Sequence, residues 1–143
     1  MMKHEFEELA GYEVTWDDYN NIIEPMYMAV NMDKADFVKV ISKERFALPT
    51  KEQMIRQMRK IAKHIYEHCG ERCFYDEEQE LEKLVRAYVR RFHGLNLDDI
   101  HDWYWIVTDK GYCGHRFSWG CSFPAKVQIG RGSGFLAEII LVK

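Results

Sequence analysis

Apolar side chains recur at helical spacing in two long segments of the chain. From about Lys51 to Cys69 the apolar positions are Met54, Met58, Ile61 and Ile65, with Ile55, Ala62 and Cys69 beside them. From about Glu77 to His93 they are Leu81, Leu84, Val85, Tyr88, Val89 and Phe92. A spacing of three or four residues puts side chains on one face of an α-helix. We therefore predict two amphipathic helices whose apolar stripes form the core.

Polar residues and glycines mark the ends of the predicted helices. Thr15 and Thr50 open capping boxes, and Asp33 and Asp76 are good N-caps. Gly11 is placed to end a further short helix that runs from about Met2 to Ala10, and Gly70 and Gly94 are placed to end the third and fourth capped helices. Pro25 predicts a break or kink in the segment opened by Thr15, because proline lacks a backbone donor.

The pattern changes to strand-like alternation after about Asp102. The stretch "WYWIVT" alternates between two faces, and "KVQIG" and "FLAEIILV" flank the turn residues "RGSG". Helices followed by strands are typical of an α+β domain. We predict about four or five N-terminal helices packed on a small C-terminal antiparallel sheet, and a single domain over residues 1–143.

Composition places the chain among cytoplasmic proteins without a membrane partner. It is 47% hydrophobic and 30% charged, no apolar run approaches the ~20 residues of a membrane span, and the opening "MMKHEFEELAG" is acidic, unlike a signal peptide. Free thiols or metal ligands are then better interpretations of the four cysteines than disulfides.

Basic residues suggest one class of partner, nucleic acid. On the helix after Thr50 they lie opposite the apolar stripe, and others follow on the next helix and in the C-terminal region; the candidates are Arg56, Arg59, Lys60 and Lys63, then Arg86, Arg90 and Arg91, then Arg116, Lys126 and Arg131. Cations of this kind grip phosphates. Against this hypothesis, the pI is about 6.1 and no RNP, zinc-finger or basic-zipper motif is present.

The stretch "HIYEHCGERC" raises the alternative of a metal site. His64 and His68 lie four residues apart, a spacing that can chelate zinc, and Cys73 is a third candidate ligand. A full site would also need Cys113, His115 or Cys121 from the sheet. Because the sequence lacks a C-x-x-C knuckle, we commit to no metal and no cofactor.

Motifs of catalysis are otherwise weak. The glycines of "IGRGSGFLAEIILVK" resemble a kinase glycine loop, but the catalytic segments that should follow are missing, so a hairpin turn is favoured. Cys113 and His115 could form a thiol–imidazole pair, although their glycine-rich context indicates a turn. Whether the chain is an enzyme stays undecided, with a non-enzymatic role favoured.

The N-terminal region resembles a known group of proteins. The stretch "EFEELAGYEVTWDDYNNIIEPMYMA", followed by "DFVKVISKERFALPTK", is similar to the opening of small uncharacterised proteins encoded by phages and prophages of gut Firmicutes. The resemblance covers about the first 65 residues. It implies an accessory protein of a bacterium or its mobile elements, and it implies no activity and no site residue.

Together these patterns favour a function in binding, with another protein as the expected partner. Charge is segregated along the chain, since residues 1–50 carry 5 basic against 10 acidic side chains, and Trp, Tyr and Met are favoured in interface cores. The alternatives are a nucleic-acid-binding regulator and a small metal-dependent enzyme. A homo-oligomer is compatible with the same features.

Overall fold

The structure is a computed structural model that describes residues 1–68, 74–108, 116–118 and 126–141. Its helices lie mostly in the N-terminal part and its sheet at the C-terminus, so the predicted α+β class is confirmed. The chain divides into two compact units, Met1–Pro49 and Thr50–Lys143. Each has its own cluster of buried apolar side chains. The single-domain interpretation stays a prediction.

The first unit is built from short helices. They are α1 (Lys3–Ala10), α2 (Trp16–Asp18), a π-helical turn (Tyr19–Ile23), α3 (Glu24–Ala29), α4 (Lys34–Val40) and α5 (Lys43–Phe46). The predicted N-caps at Thr15 and Asp33 are confirmed, since their side chains accept hydrogen bonds from the backbone N–H groups of Asp18 and Asp36. At Thr15 the reciprocal bond from the Thr15 backbone N–H to the Asp18 side chain, which a capping box requires, is not formed. Gly11 ends α1 in the left-handed conformation, with a φ of 80°.

The break or kink predicted at Pro25 takes another form. Asp18 and Glu24 both have helical dihedral angles, so the helix continues through this region without interruption. The turn before Pro25 is π-helical, and the N–H of Glu24 bonds to the carbonyl of Tyr19, five residues back. A π-turn leaves backbone groups out of the regular ladder, which accommodates a residue that has no N–H to donate.

The core of the first unit brings together side chains from every part of its sequence. The buried residues are Phe6, Val14, Tyr19, Ile23, Phe37, Val38, Ile41 and Phe46. Within this cluster α1 packs against α4. An ion pair of 2.6 Å between Lys34 Nζ and Glu5 Oε2 joins the same two helices.

The second unit begins with two long helices, α6 (Lys51–Glu67) and α7 (Tyr75–His93), and a 3-10 turn (Leu97–Asp99). The capping box at Thr50 and the left-handed end of α7 at Gly94 are confirmed. The cap predicted at Asp76 is wrong, because the N-cap of α7 is Phe74, two residues earlier, and Asp76 lies inside the first turn. An acidic side chain is stabilised there by the helix dipole without capping. Cys69 and Gly70, predicted to end the preceding helix, lie outside the described residues.

The strands form one sheet in the order β2-β1-β3-β4. Their bounds are β1 (Trp103–Thr108), β2 (Phe117–Ser118), β3 (Lys126–Arg131) and β4 (Gly134–Ile140). The predicted hairpin at "RGSG" is confirmed as the β3–β4 pair, and β1 pairs antiparallel with β3. The very short β2 departs from the antiparallel prediction, since it pairs parallel with β1.

The predicted helix stripes are confirmed as core. Buried side chains from α6 and α7 pack with alternate residues of β1, β3 and β4; they include Met54, Met58, Ile61, Ile65, Leu81, Val85, Val89, Trp105, Val127, Ile129 and Ile139. Ile55, Leu84 and Phe92 are only half-buried at the margin of this cluster. The strand residues that face the helices alternate with residues that point away, as a period of two requires.

Candidate functional site

A groove of about 640 Å³ lies in the second unit. It is formed by the first half of α6, the last half of α7 and the end of β4. Two of the predicted nucleic-acid-binding residues, Arg56 and Arg59, line it, while Lys60, Lys63 and Arg131 do not. The fold therefore places two of these cations in the groove and three outside its lining, a division that the sequence did not predict.

The lining of the groove is partly apolar. Ile55 is half-buried and contributes apolar surface to the groove, whereas Leu141 is buried beneath it. Ile140 is 44% exposed, since alternation along β4 turns it away from the core that buries Ile139. Binding of a ligand is favoured when it covers an aliphatic side chain that is otherwise exposed to water.

Arg56 and Arg59 lie one turn apart on α6, and both are exposed. Neither guanidinium group makes an ion pair or a hydrogen bond with any other described residue. Lys63, farther along the same helix, differs because its Nζ lies 3.8 Å from Glu67 Oε1. The two arginines are thus cations available to an anionic partner.

Acidic groups reduce the positive charge of the groove without cancelling it. Glu138 is engaged by Lys126, whose Nζ lies 3.0 Å from Glu138 Oε1 across the β3–β4 pair. Glu52 sits in the first turn of α6, a position that the helix dipole favours for a carboxylate. Lys51, Arg56 and Arg59 outnumber these two carboxylates in the groove lining. A single carboxylate is therefore attracted, whereas a long run of phosphates also meets repulsion.

Several other predicted cations have structural partners. Arg86 Nη1 lies 2.6 Å from Asp98 Oδ1, and Arg116 Nη1 lies 3.7 Å from Glu78 Oε2. Arg91 lies over the ring of Phe92 at 4.8 Å. Each of these side chains therefore already interacts with another residue of the fold. Arg131 is exposed at the end of β3, away from the groove lining.

Trp105 and Glu82 form a contact that sequence reasoning missed. The indole Nε1 of the buried Trp105 donates to Glu82 Oε1 at 3.0 Å, and Arg116 lies over the indole ring at 4.5 Å. The bond joins β1 to α7 and positions the helix whose far end supplies Tyr88 to the groove. In the sequence, the only indication of this contact was the alternation of side chains along β1, which places Trp105 on the sheet face toward the helices.

The metal candidates are only partly brought together. The rings of His64 and His68 lie 4.7 Å apart between centroids, and the ring of Phe74 meets His64 edge-on at 6.0 Å. Cys73, Cys113, His115 and Cys121 lie outside the described residues. In the part of the chain that the structure describes, no group of three or more His, Cys, Asp or Glu side chains is placed to hold a metal ion.

The first unit carries a second apolar surface around the end of α3. Four large apolar side chains within seven residues are exposed, at 44% for Met26, 74% for Met28, 42% for Val30 and 41% for Met32. Methionine is common on surfaces that bind other proteins, because its flexible side chain adapts to its partner.

Comparison with known proteins gives no assignment: no protein-family model, curated protein or solved structure matches the chain. No helix among the described residues combines the length and apolarity needed to cross a membrane.

Proposed function

We propose that the chain acts by binding another protein, and that the groove of the second unit receives an acidic segment of that partner. The observation that carries the proposal is the pair Arg56 and Arg59, which stand without described partners beside an apolar lining. A free guanidinium group recognises a carboxylate through paired, charge-assisted hydrogen bonds. The apolar lining adds contact area that only a ligand with apolar side chains uses.

The lining of the groove favours a protein over a nucleic acid. Ile55 and Ile140 offer aliphatic surface, and Tyr88, at 3% exposure, presents no ring face on which a base could stack. Single-stranded nucleic acids are typically held by stacking on aromatic side chains along a continuous basic track. Glu52 and Glu138 interrupt such a track here.

Site-specific photo-crosslinking tests this proposal. Ile140 is replaced by p-benzoylphenylalanine in the full chain, which is then irradiated in its native host. We expect a crosslinked product that protease digests and nuclease leaves intact, because the probe sits in the groove lining. The same probe at Tyr75, which is exposed and lies outside the groove, is the position control.

Charge-reversal variants decide whether the crosslinked partner is bound in the groove. Arg56→Glu/Arg59→Glu should abolish the product, and the matched Lys60→Glu/Lys63→Glu variant on the same helix should retain it. A product that survives loss of both arginines, or that nuclease removes, contradicts the proposal. Circular dichroism of both variants confirms that exposed charge changes leave the helices intact.

Nucleic-acid binding is the second candidate, and one observation favours it. Arg56, Arg59, Lys60 and Lys63 are all exposed on α6, which gives a basic helix surface beyond the groove. Anisotropy titrations of labelled single-stranded and duplex DNA at low and moderate salt test it. This function requires that Lys60→Glu/Lys63→Glu weaken binding as much as Arg56→Glu/Arg59→Glu and that affinity fall steeply with salt.

We also propose a setting for this function, the cytoplasm of a bacterium carrying phage or prophage genes. Support for it comes from the resemblance of the first 65 residues to phage and prophage proteins. Immunodetection in fractionated host cells is the measurement that tests it.

A further inference from the structure

We infer that the partner's acidic segment is extended and pairs with the outer edge of β4 as an additional strand. The inference rests on the proposed function, because it assumes that the groove binds a protein. It goes further in naming the conformation of the ligand and the backbone that recognises it.

The outer edge of β4 opens into the groove. β4 is the last strand in the sheet order, and among the described residues it pairs with β3 alone. The groove lining runs from α6 to Glu138 and Ile140 of β4. A terminal strand offers unpaired N–H and C=O groups that another chain can use. The groove therefore combines a helix wall with a strand edge, an arrangement suited to strand addition.

The part of β4 in the groove is regular enough to act as a template. Lys126 pairs with Ile140, Val127 with Ile139 and Gln128 with Glu138, without a shift in register. The irregularity of this pair lies toward the turn, between Ile129 and Gly130. A Cβ at Gly130 would come within 2.5 Å of the Tyr104 hydroxyl, so glycine is needed at the bulge. A bulge increases the twist locally, so its effect falls on the turn end of the strand, while the pairing at the groove end stays regular.

The side chains of the groove define the chemistry of the added strand. Successive residues of an extended segment point to opposite faces of the sheet, so the residues on the α6 side can cover Ile55 and bring a carboxylate to Arg56 or Arg59, while the residues between them lie beside Ile140. Unpaired cations and an apolar lining together select a segment with aliphatic residues and at least one carboxylate. Proline is excluded at the alternate positions whose N–H groups donate to β4, because it cannot donate to the ladder.

Peptide selection on the full chain tests this inference. Random peptides of about 8 residues, slightly longer than a typical strand, are displayed and selected against the immobilised protein. We expect enrichment of alternating aliphatic residues with Glu or Asp, and depletion of Pro at alternate positions. The best peptide is then synthesised, and its dissociation constant is measured by fluorescence anisotropy.

Backbone N-methylation of that peptide isolates strand pairing from side-chain contacts. Methylation of alternate amides in one register should weaken binding by about tenfold or more, because ladder hydrogen bonds are lost, and methylation in the other register should have little effect. Equal, small effects in both registers overturn strand addition. Failure to enrich any peptide, or enrichment of basic or proline-rich peptides, also overturns it.

Two further outcomes separate this inference from the proposed function. Tight binding that depends on Arg56 and Arg59 but not on N-methylation leaves the groove as a protein-binding site and removes only the added strand. Binding that ignores Arg56→Glu/Arg59→Glu shows that the proposed function itself is misplaced. If sedimentation shows a dimer of the wild-type chain that the peptide dissociates, a second copy occupies the edge and the inferred partner is wrong.

Discussion

Tyr12 and Tyr19 place two hydroxyl groups beside the same core with different consequences. The Tyr19 hydroxyl donates to the Met1 carbonyl, whereas the buried Tyr12 hydroxyl finds no hydrogen-bond partner among the described residues. Burial raises the pKa of both phenols. A buried polar group without a partner costs free energy, and a satisfied one does not.

Replacing each tyrosine by phenylalanine should therefore have opposite effects on stability. Tyr12→Phe should leave the free energy of unfolding unchanged or raise it by about 1 kcal/mol, because it removes an unsatisfied hydroxyl. Tyr19→Phe should lower it by about 1 kcal/mol, because it removes a hydrogen bond. Urea denaturation measures both. A larger loss for Tyr12→Phe than for Tyr19→Phe would refute the assignment.

Glu5 and Lys34 give a prediction about pH. The hydrogen bond from Lys34, and next the backbone N–H of Met2, hold the pKa of the Glu5 carboxyl below its ordinary value. A lowered folded-state pKa stabilises the protein above the unfolded pKa, and this contribution is lost as pH falls through the folded pKa. Lys34→Met should raise the pKa of Glu5 in an NMR titration. The matched Lys39→Met change, on the same helix, should not; equal shifts in both variants would exclude the pair as the cause.

At the scale of elements, α7 offers a matched test of burial. Leu81 is fully buried and Leu84 is half-buried one turn along the same helix. Leu81→Ala should cost about 2–5 kcal/mol of unfolding free energy, because it leaves a cavity. Leu84→Ala should cost about 1 kcal/mol, because solvent already reaches the side chain. Chemical denaturation that ranks them in reverse would show that the core is misplaced.

The elements that the sequence predicted correctly are those set by neighbouring residues. The stripes of α6 and α7, the capping box at Thr50 and the β3–β4 hairpin each depend on spacing within one segment. The errors arose where two local signals compete. An aspartate such as Asp76 is favoured both at an N-cap and in the first turn of a helix. Pro25 is tolerated because the preceding turn becomes π-helical. The parallel pairing of β2 involves a second strand, β1, so no pattern within one segment predicted it.

At the scale of the whole molecule, the fold decides which charges are available to a partner. Helical spacing identified Arg56 and Arg59, but equally Arg86, whose partner Asp98 follows the end of α7. Ile140 and Tyr88 joined the site only because β4 and α7 converge near α6. The sequence therefore predicted the cations of the candidate site, and the fold supplied its shape, its apolar lining and its strand edge.

The most direct test of the groove as the binding site is an NMR titration of the isotope-labelled full chain with the selected acidic peptide. We predict that amide shifts concentrate on Ile55, Arg56 and Arg59 of α6 and on the end of β4, and that Arg56→Glu/Arg59→Glu eliminates them. Shifts centred instead on Lys60, Lys63 and Arg131, or on the exposed segment from Met26 to Met32, would contradict the assignment of the groove.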